Sequence, residues 1–178
     1  WGCFDYSQQE PRLVVHYAAS SQGLRNEKEV KKIVDEFNTN DVDFHQIVAD
    51  MAEIPRSQAK VINLGLFYGM GKAKLQAELG LNTKDEAEKL FNKYHNRVPF
   101  VKDLMNNTSR DASGSGYITT LLGRKCRFDK WEEAVYNPGV LKIPMSHAEA
   151  EKKYGGESIR RAFTYKALNK LIQGSAAD

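Results

Sequence analysis

Arg56, Lys60, Leu64 and Tyr68 are spaced by four. On a helix each such step returns to nearly the same angle, drifting by about 40°, so the four form one slanted stripe. Two cations come first, then an apolar residue, then an aromatic one. Twelve residues of helix span ~18 Å, roughly the reach of an extended nucleoside triphosphate. Arg and Lys near a helix N-terminus oppose its positive dipole end and gain nothing locally. An anion docked there would change that, because the helix start, Arg56 and Lys60 all suit phosphates. A solvated charged face with Leu64 and Tyr68 in the core is the rival explanation. Gly65 and Gly69 add a small-residue edge that a backbone or base pair could approach closely.

Asp5 ends the short apolar segment Cys3-Phe4-Asp5-Tyr6. A carboxylate at a strand end is a usual metal ligand, and phosphoryl transfer with Mg²⁺ needs one or two of them. It is also a common turn residue. Glu10 has a plain structural role available, as the fourth member of a Ser7-Gln8-Gln9-Glu10 capping box. His45, on a short helix, reads more readily as a surface or satisfied core histidine than as a phosphate contact.

The elements that must position these residues are mostly helices. A strand over 3–6 enters a helix running through Leu13, Val14 and Tyr17 to about Ala19. Helices follow at about Glu27–Phe37 and Phe44–Met51, separated by the turn 38–41. Pro55 suits the first turn of the helix that carries the stripe, ending at Gly69. Gly80 ends a short helix, Thr83 caps another through Tyr94, and a third spans about Phe100–Ser109. Ser113-Gly114-Ser115-Gly116 reads as a flexible turn. Tyr117–Leu122 is the best strand, being β-branched and apolar. Residues 129–157 read as irregular, and a last helix is expected from about Ser158 through Leu171.

Composition sets the outer limits. The 178 residues are 41% hydrophobic and 28% charged, ordinary for a globular chain of about one domain. That excludes a disordered tail, a collagen and a disulfide scaffold. No apolar run approaches the ~18 residues of a membrane span. Cys3 and Cys126 make no framework, so an intracellular, reducing compartment is the expectation. The net charge of +3 is uneven. Residues 1–60 hold 7 Lys and Arg against 10 Asp and Glu, and residues 61–178 hold 19 against 13. The basic second part suits a nucleic-acid backbone or a mixed solvated surface. The chain starts at Trp1 and stops after an apolar stretch at 171–177, so a piece of a longer protein is expected.

Five blocks resemble family A DNA polymerases, in family order. Asp5-Tyr6-Ser7-Gln8-Gln9-Glu10-Pro11-Arg12 resembles motif A, and Arg56 through Gly69 resembles motif B, the O helix. Asp43-Phe44-His45 is similar to the family's Asp-x-His element, and Gly116 through Arg124 to the fingers segment that follows. Asn169 through Asp178 resembles the helix preceding motif C. The resemblance implies a helix-rich α+β fold, part of the polymerase right hand with a palm strand and fingers helices. It implies a palm segment over 1–26, fingers over 27–157 with an insertion at 128–157, and a palm helix over 158–178.

The same resemblance implies template-directed DNA synthesis, with deoxynucleoside triphosphates and primer–template DNA as partners, no membrane, and an unidentified replisome or processivity partner. Asp5 would bind both Mg²⁺ ions, helped by the Tyr6 carbonyl. Glu10 would exclude a ribose 2′-OH and bond Tyr68. Arg56, Lys60 and His45 would hold the triphosphate with Gln8 near it, and Lys60 would assist the leaving pyrophosphate. Tyr68 would stack with template, and Gly69 would let template pass. Asn169 and Gln173 would face the minor groove, and Arg124 would contact a DNA backbone.

The pattern also departs from the family's. No His-Asp-Glu stands for the second catalytic carboxylate of motif C, so this stretch alone is expected to be inactive. Leu64 replaces the usual Phe or Tyr, which implies discrimination against dideoxynucleotides. Gln9-Glu10-Pro11 and Asn169-Lys170-Leu171-Ile172 look phage-like, which would place the protein in a host cytoplasm. Two rival functions remain: a single-subunit RNA polymerase, which Glu10 opposes, and a DNA-binding module of the same fold without catalysis.

Overall fold

The computed structural model describes residues 6–39, 42–67, 70–135 and 141–178. Nine α-helices and four short strands occur among them. The helices are α1 (Gln9–Ser20), α2 (Glu27–Thr39), α3 (Phe44–Ala52), α4 (Arg56–Phe67), α5 (Lys72–Glu78), α6 (Lys84–Arg97), α7 (Pro99–Ser115), α8 (His147–Tyr154) and α9 (Ala167–Ala176). Strands β1 (Tyr117–Thr119) and β2 (Lys125–Arg127) form one antiparallel pair. Strands β3 (Trp131–Glu133) and β4 (Ile159–Arg161) form another. The helix-rich α+β class expected from the sequence is what the chain adopts, while most of the segment expected as the palm strand lies outside the described residues.

The main core joins α1 through α7 with α9. Each helix contributes a stripe at helical spacing: Val30, Ile33, Val34 and Phe37 on α2, Phe44, Val48, Ala49 and Ala52 on α3, and Phe100, Val101, Leu104 and Thr108 on α7. A second cluster gathers Ala112, Ile118, Phe128, Ala167 and Leu171 where the β1–β2 pair meets α7 and α9.

Several local expectations are corrected. The Ser7 capping box does not form. Gln8 is the N-cap of α1, in the left-handed region (φ 53°, ψ 43°), with no side-chain cap. Its amide is committed elsewhere, donating to the Val42 carbonyl and accepting from the Phe44 N–H at 2.8 Å. That long-range docking outweighs the local cap. Ser113-Gly114-Ser115 continue α7 instead of making a turn, and only Gly116, at φ 80°, reverses the chain. The strand at 117 stops at Thr119, because Thr120–Arg124 close a tight turn through Thr120 N to Arg124 O (2.9 Å) and Gly123 N to Thr120 O (3.0 Å).

The region 129–157 is not irregular throughout. It holds β3 and α8, the latter opened by a complete Ser146/Glu149 capping box. The last helix begins at Ala167, not Ser158. Residues 159–161 pair with β3 instead, and Phe163 takes φ 63° before a short 3-10 turn. Here the cross-strand partners override a helical pattern.

Candidate functional site

The first turn of α4 and the start of α3 meet end to end. Asp43 is the N-cap of α3, and its carboxylate accepts from the His45 N–H at 3.0 Å and the Gln46 N–H at 3.1 Å. The same carboxylate takes the Arg56 guanidinium, at 2.7 Å from Nε and 2.6 Å from Nη2. Burial pushes the Asp43 carboxyl up, but the Arg56 contact and the two backbone N–H donors outweigh it and hold it below its usual value. One aspartate therefore fixes His45 relative to Arg56.

His45 is almost fully buried and stays neutral. Desolvation lowers its pKa, Asp43 opposes this, and Arg56 and Lys60 lower it further. Both cations therefore act on this ring, which places the three residues expected to hold a triphosphate in one electrostatic neighbourhood. Lys60 itself is exposed on α4, and Leu64 one turn further is half-buried. Gln8 joins this group through its bonds to the Val42 carbonyl and the Phe44 N–H, so its amide fixes the segment just before His45.

The turn between α3 and α4 is anchored from outside. Glu53, at φ 53°, presents its carbonyl to Lys93 Nζ (2.7 Å), and its carboxylate meets Arg97 (3.0 Å). α6 thereby fixes the point where α4 begins. At the other end of α4, Gly65 is not an open edge. Its missing side chain is replaced by Met70, and a Cβ there would lie 2.8 Å from the Met70 sulfur.

A second group lies between α1 and α9. Glu10 is half-buried, and Gln173 Nε2 donates to its carboxylate at 3.4 Å. Gln9 reaches the Ala176 carbonyl (2.9 Å), and the hydroxyls of Tyr17 and Ser175 are 2.6 Å apart. Leu168, Leu171, Ile172 and Ser175 bury one side of α9, leaving Asn169 and Gln173 half-buried, four apart on one face. Arg124 sits against the end of this helix, paired with Asp178 (2.7 Å) and the Gly174 carbonyl (2.5 Å). Asp178 also accepts from the Leu122 N–H (3.2 Å). Gly174 leaves room for Thr120 here, since a Cβ at 174 would stand 2.7 Å from Thr120 Cγ2.

Tyr6 is strongly exposed just ahead of α1. Asp5, Tyr68 and Gly69 lie outside the described residues. Among the described residues no three His, Cys, Asp or Glu side chains converge to hold a metal ion.

Sequence reasoning left Asp43, Asn63, Tyr94 and Asp178 without roles. Asn63 is wholly buried, within 3.1 Å of His45 Nδ1, and accepts from the Tyr94 hydroxyl. The available signal was a single amide interrupting the apolar run from Val61 to Phe67.

The described residues thus hold a cationic helix start beside a buried histidine and, between α1 and α9, a glutamate–glutamine pair. The family model for DNA polymerase family A matches residues 2–178, and the chain belongs to that family. It is 34% identical to a DNA-directed DNA polymerase of Pseudomonas phage M6, over all of this chain and 29% of the phage protein. It is 31% identical to DNA polymerase I of Caldicellulosiruptor bescii, over 98% of this chain and 18% of that protein. The polymerase domain of Pol1 from M. smegmatis, in complex with DNA primer–template and dNTP, superposes with a TM-score of 0.64 at 28% identity. That match covers 97% of this chain and 26% of the other. The chain thus spans less than a third of the length of these relatives. Polymerases of this family generally use Mg²⁺. No helix among the described residues is long and apolar enough to cross a membrane.

Proposed function

We propose that this chain carries the nucleotide-selecting part of a template-directed DNA polymerase, and that the whole protein adds deoxynucleotides to a primer 3′-OH. The convergence of His45, Arg56 and Lys60 at the α3–α4 junction carries this reading. Arg56 offers a planar fork for two phosphate oxygens, and Lys60 offers a mobile point charge. The bond to Asp43 holds Arg56 extended until a phosphate competes for it. His45 stays neutral and donates one hydrogen bond without adding charge. In this reading Lys60 gives a proton to the departing pyrophosphate.

Glu10 and Gln173 join the nucleotide side to the DNA side. In this proposal Glu10 closes the space a ribose 2′-OH would need, and Asn169 and Gln173 read the minor-groove edge of the primer–template. Arg124 holds the end of α9 and reaches a DNA phosphate from there. Tyr68 and Gly69 accommodate the template base. Magnesium, bound with Asp5 and the Tyr6 carbonyl, would supply charge neutralisation at the phosphates. The palm is assigned to 1–26 and 158–178, and the fingers to 27–157 with 128–157 as an insertion. Work in a reducing cell interior, the host cytoplasm for a phage protein, follows from the phage relatives and the cysteine usage.

Primer extension by the full-length protein tests the reading. Deoxynucleotide addition that drops by at least about tenfold in kcat/KM with Arg56→Ala supports it. Equal activity of the variant would refute it.

A further inference from the structure

Asn63 is 0% exposed on α4, and Tyr94 is 0% exposed on α6. Together with His45 they form a chain of three side chains crossing the core. The Tyr94 hydroxyl donates to Asn63 Oδ1 at 2.5 Å, and Asn63 Nδ2 lies 3.1 Å from His45 Nδ1. The order of donors along this chain is forced from the buried end. Burial pushes the Tyr94 phenol far above its ordinary range, so it keeps its only proton and donates it. The acceptor must be the amide oxygen, which turns the Asn63 NH₂ toward His45. An N–H donor requires a lone pair on Nδ1, so the ring proton of the neutral imidazole resides on Nε2. Among the described residues the only buried side-chain nitrogens or oxygens without a partner are those of His95. His45 Nε2 has no hydrogen-bond partner among the described residues and is not one of these buried orphans, which leaves it toward the solvent side, in the neighbourhood of Asp43, Arg56 and Lys60.

We infer that Asn63 and Tyr94 are positioning residues that hold the His45 imidazole as its Nε2–H tautomer, with that hydrogen presented to a phosphate oxygen of the incoming nucleotide. The inference deepens the triphosphate reading above and rests on it. The relay supplies a donor of fixed direction without a second positive ring beside Arg56 and Lys60. It also explains why a buried amide interrupts the apolar face of α4. A hydrocarbon of similar size would fill the space but leave both His45 tautomers accessible.

The tautomer is read directly from the two-bond proton–nitrogen couplings of ¹⁵N-histidine in the intact protein at neutral pH, with His45 assigned by difference from His45→Gln. The wild type is expected to show Nε2–H. Tyr94→Phe keeps the ring packing and removes the one proton that orients the amide, so His45 becomes a mixture of tautomers. Asn63→Asp presents an acceptor to Nδ1 and reverses the tautomer or protonates the ring. Affinity for dATP, measured opposite template T on a dideoxy-terminated primer, is expected to fall about three- to tenfold in Tyr94→Phe, with primer–template affinity unchanged. Should Asn63→Asp fail to fold, Tyr94→Phe decides alone. An Nδ1–H wild type, or a Tyr94→Phe protein with unchanged tautomer and dATP affinity, overturns the inference. A wild type with the Nε2–H tautomer that binds no dATP would instead overturn the triphosphate reading and leave the tautomer assignment in place.

Discussion

Asp43 does two jobs with one carboxylate, and the two can be separated by substitution. Asp43→Asn keeps an oxygen for the α3 cap and loses the charge opposite Arg56. Asp43→Ala loses both. Replacing an N-cap by alanine costs ~1 kcal/mol, and an ion pair this exposed adds at most ~1 kcal/mol. Urea unfolding should therefore rank the wild type above Asp43→Asn, with Asp43→Ala ~1–2 kcal/mol below the wild type. Leu64 gives a functional contrast on the same stripe. Leu64→Tyr restores the aromatic hydroxyl that the family resemblance associates with accepting dideoxynucleotides. The ratio of dideoxy- to deoxynucleotide incorporation should rise, and an unchanged ratio would reject a selective role for Leu64. The cationic stripe was legible because its spacing is a property of the helix alone. The Asp43–Arg56 pair and the Asn63–Tyr94 link join different elements, and nothing local in the sequence announces them.

At the scale of elements, α6 is the one that holds both the start of α4 and a buried liability. His95 is 4% exposed, its ring nitrogens have no partner among the described residues, and the Phe91 ring stands edge-on at 4.2 Å. Burial, then Lys102 and Arg25, depress its pKa from 6.5 to about 4. The unfolded chain takes up this proton first as the pH falls. Stability is therefore complete above about pH 6.5 and declines between there and about pH 4, by up to ~3 kcal/mol. His95→Phe should flatten that decline in a series of urea melts, and an equally steep decline would show that other groups cause it.

The far end of α4 offers a packing test. A methyl at position 65 would meet the flexible end of the Met70 side chain, which can swing aside. Alanine gains about 1 kcal/mol over glycine inside a helix, so Gly65→Ala should leave thermal stability within ~1 kcal/mol of the wild type. A larger loss would show that Met70 cannot move. Elements with a strong periodic stripe, α2, α3 and α6, were readable in advance. The start of α1 and the 159–161 strand were not. Gln8 answers to Val42 and Phe44, and Ile159–Arg161 answer to β3. Both are decided by partners far away in sequence.

Across the whole molecule, two regions far apart in the chain close on one another. α1 and α9 are joined by the Glu10–Gln173, Gln9–Ala176 and Tyr17–Ser175 contacts. α4 presents the cations Arg56 and Lys60 beside His45 of α3. The family resemblance supplied the grouping of these regions, because five motifs in order carry information about distant contacts that composition and periodicity lack. In the full-length protein Glu10→Ala should raise ribonucleotide use relative to deoxynucleotide use, on the order of tenfold or more. Equal sugar preference in the wild type would favour the RNA polymerase alternative.

In the proposed function the α3–α4 junction binds the triphosphate. The most direct measurement is the dNTP dissociation constant of Lys60→Ala beside that of the wild type, from single-turnover primer extension by the full-length protein. The expected result is at least about tenfold weaker dNTP binding with primer–template affinity unchanged. Wild-type dNTP affinity in the variant, or a loss confined to primer–template binding, would contradict the account.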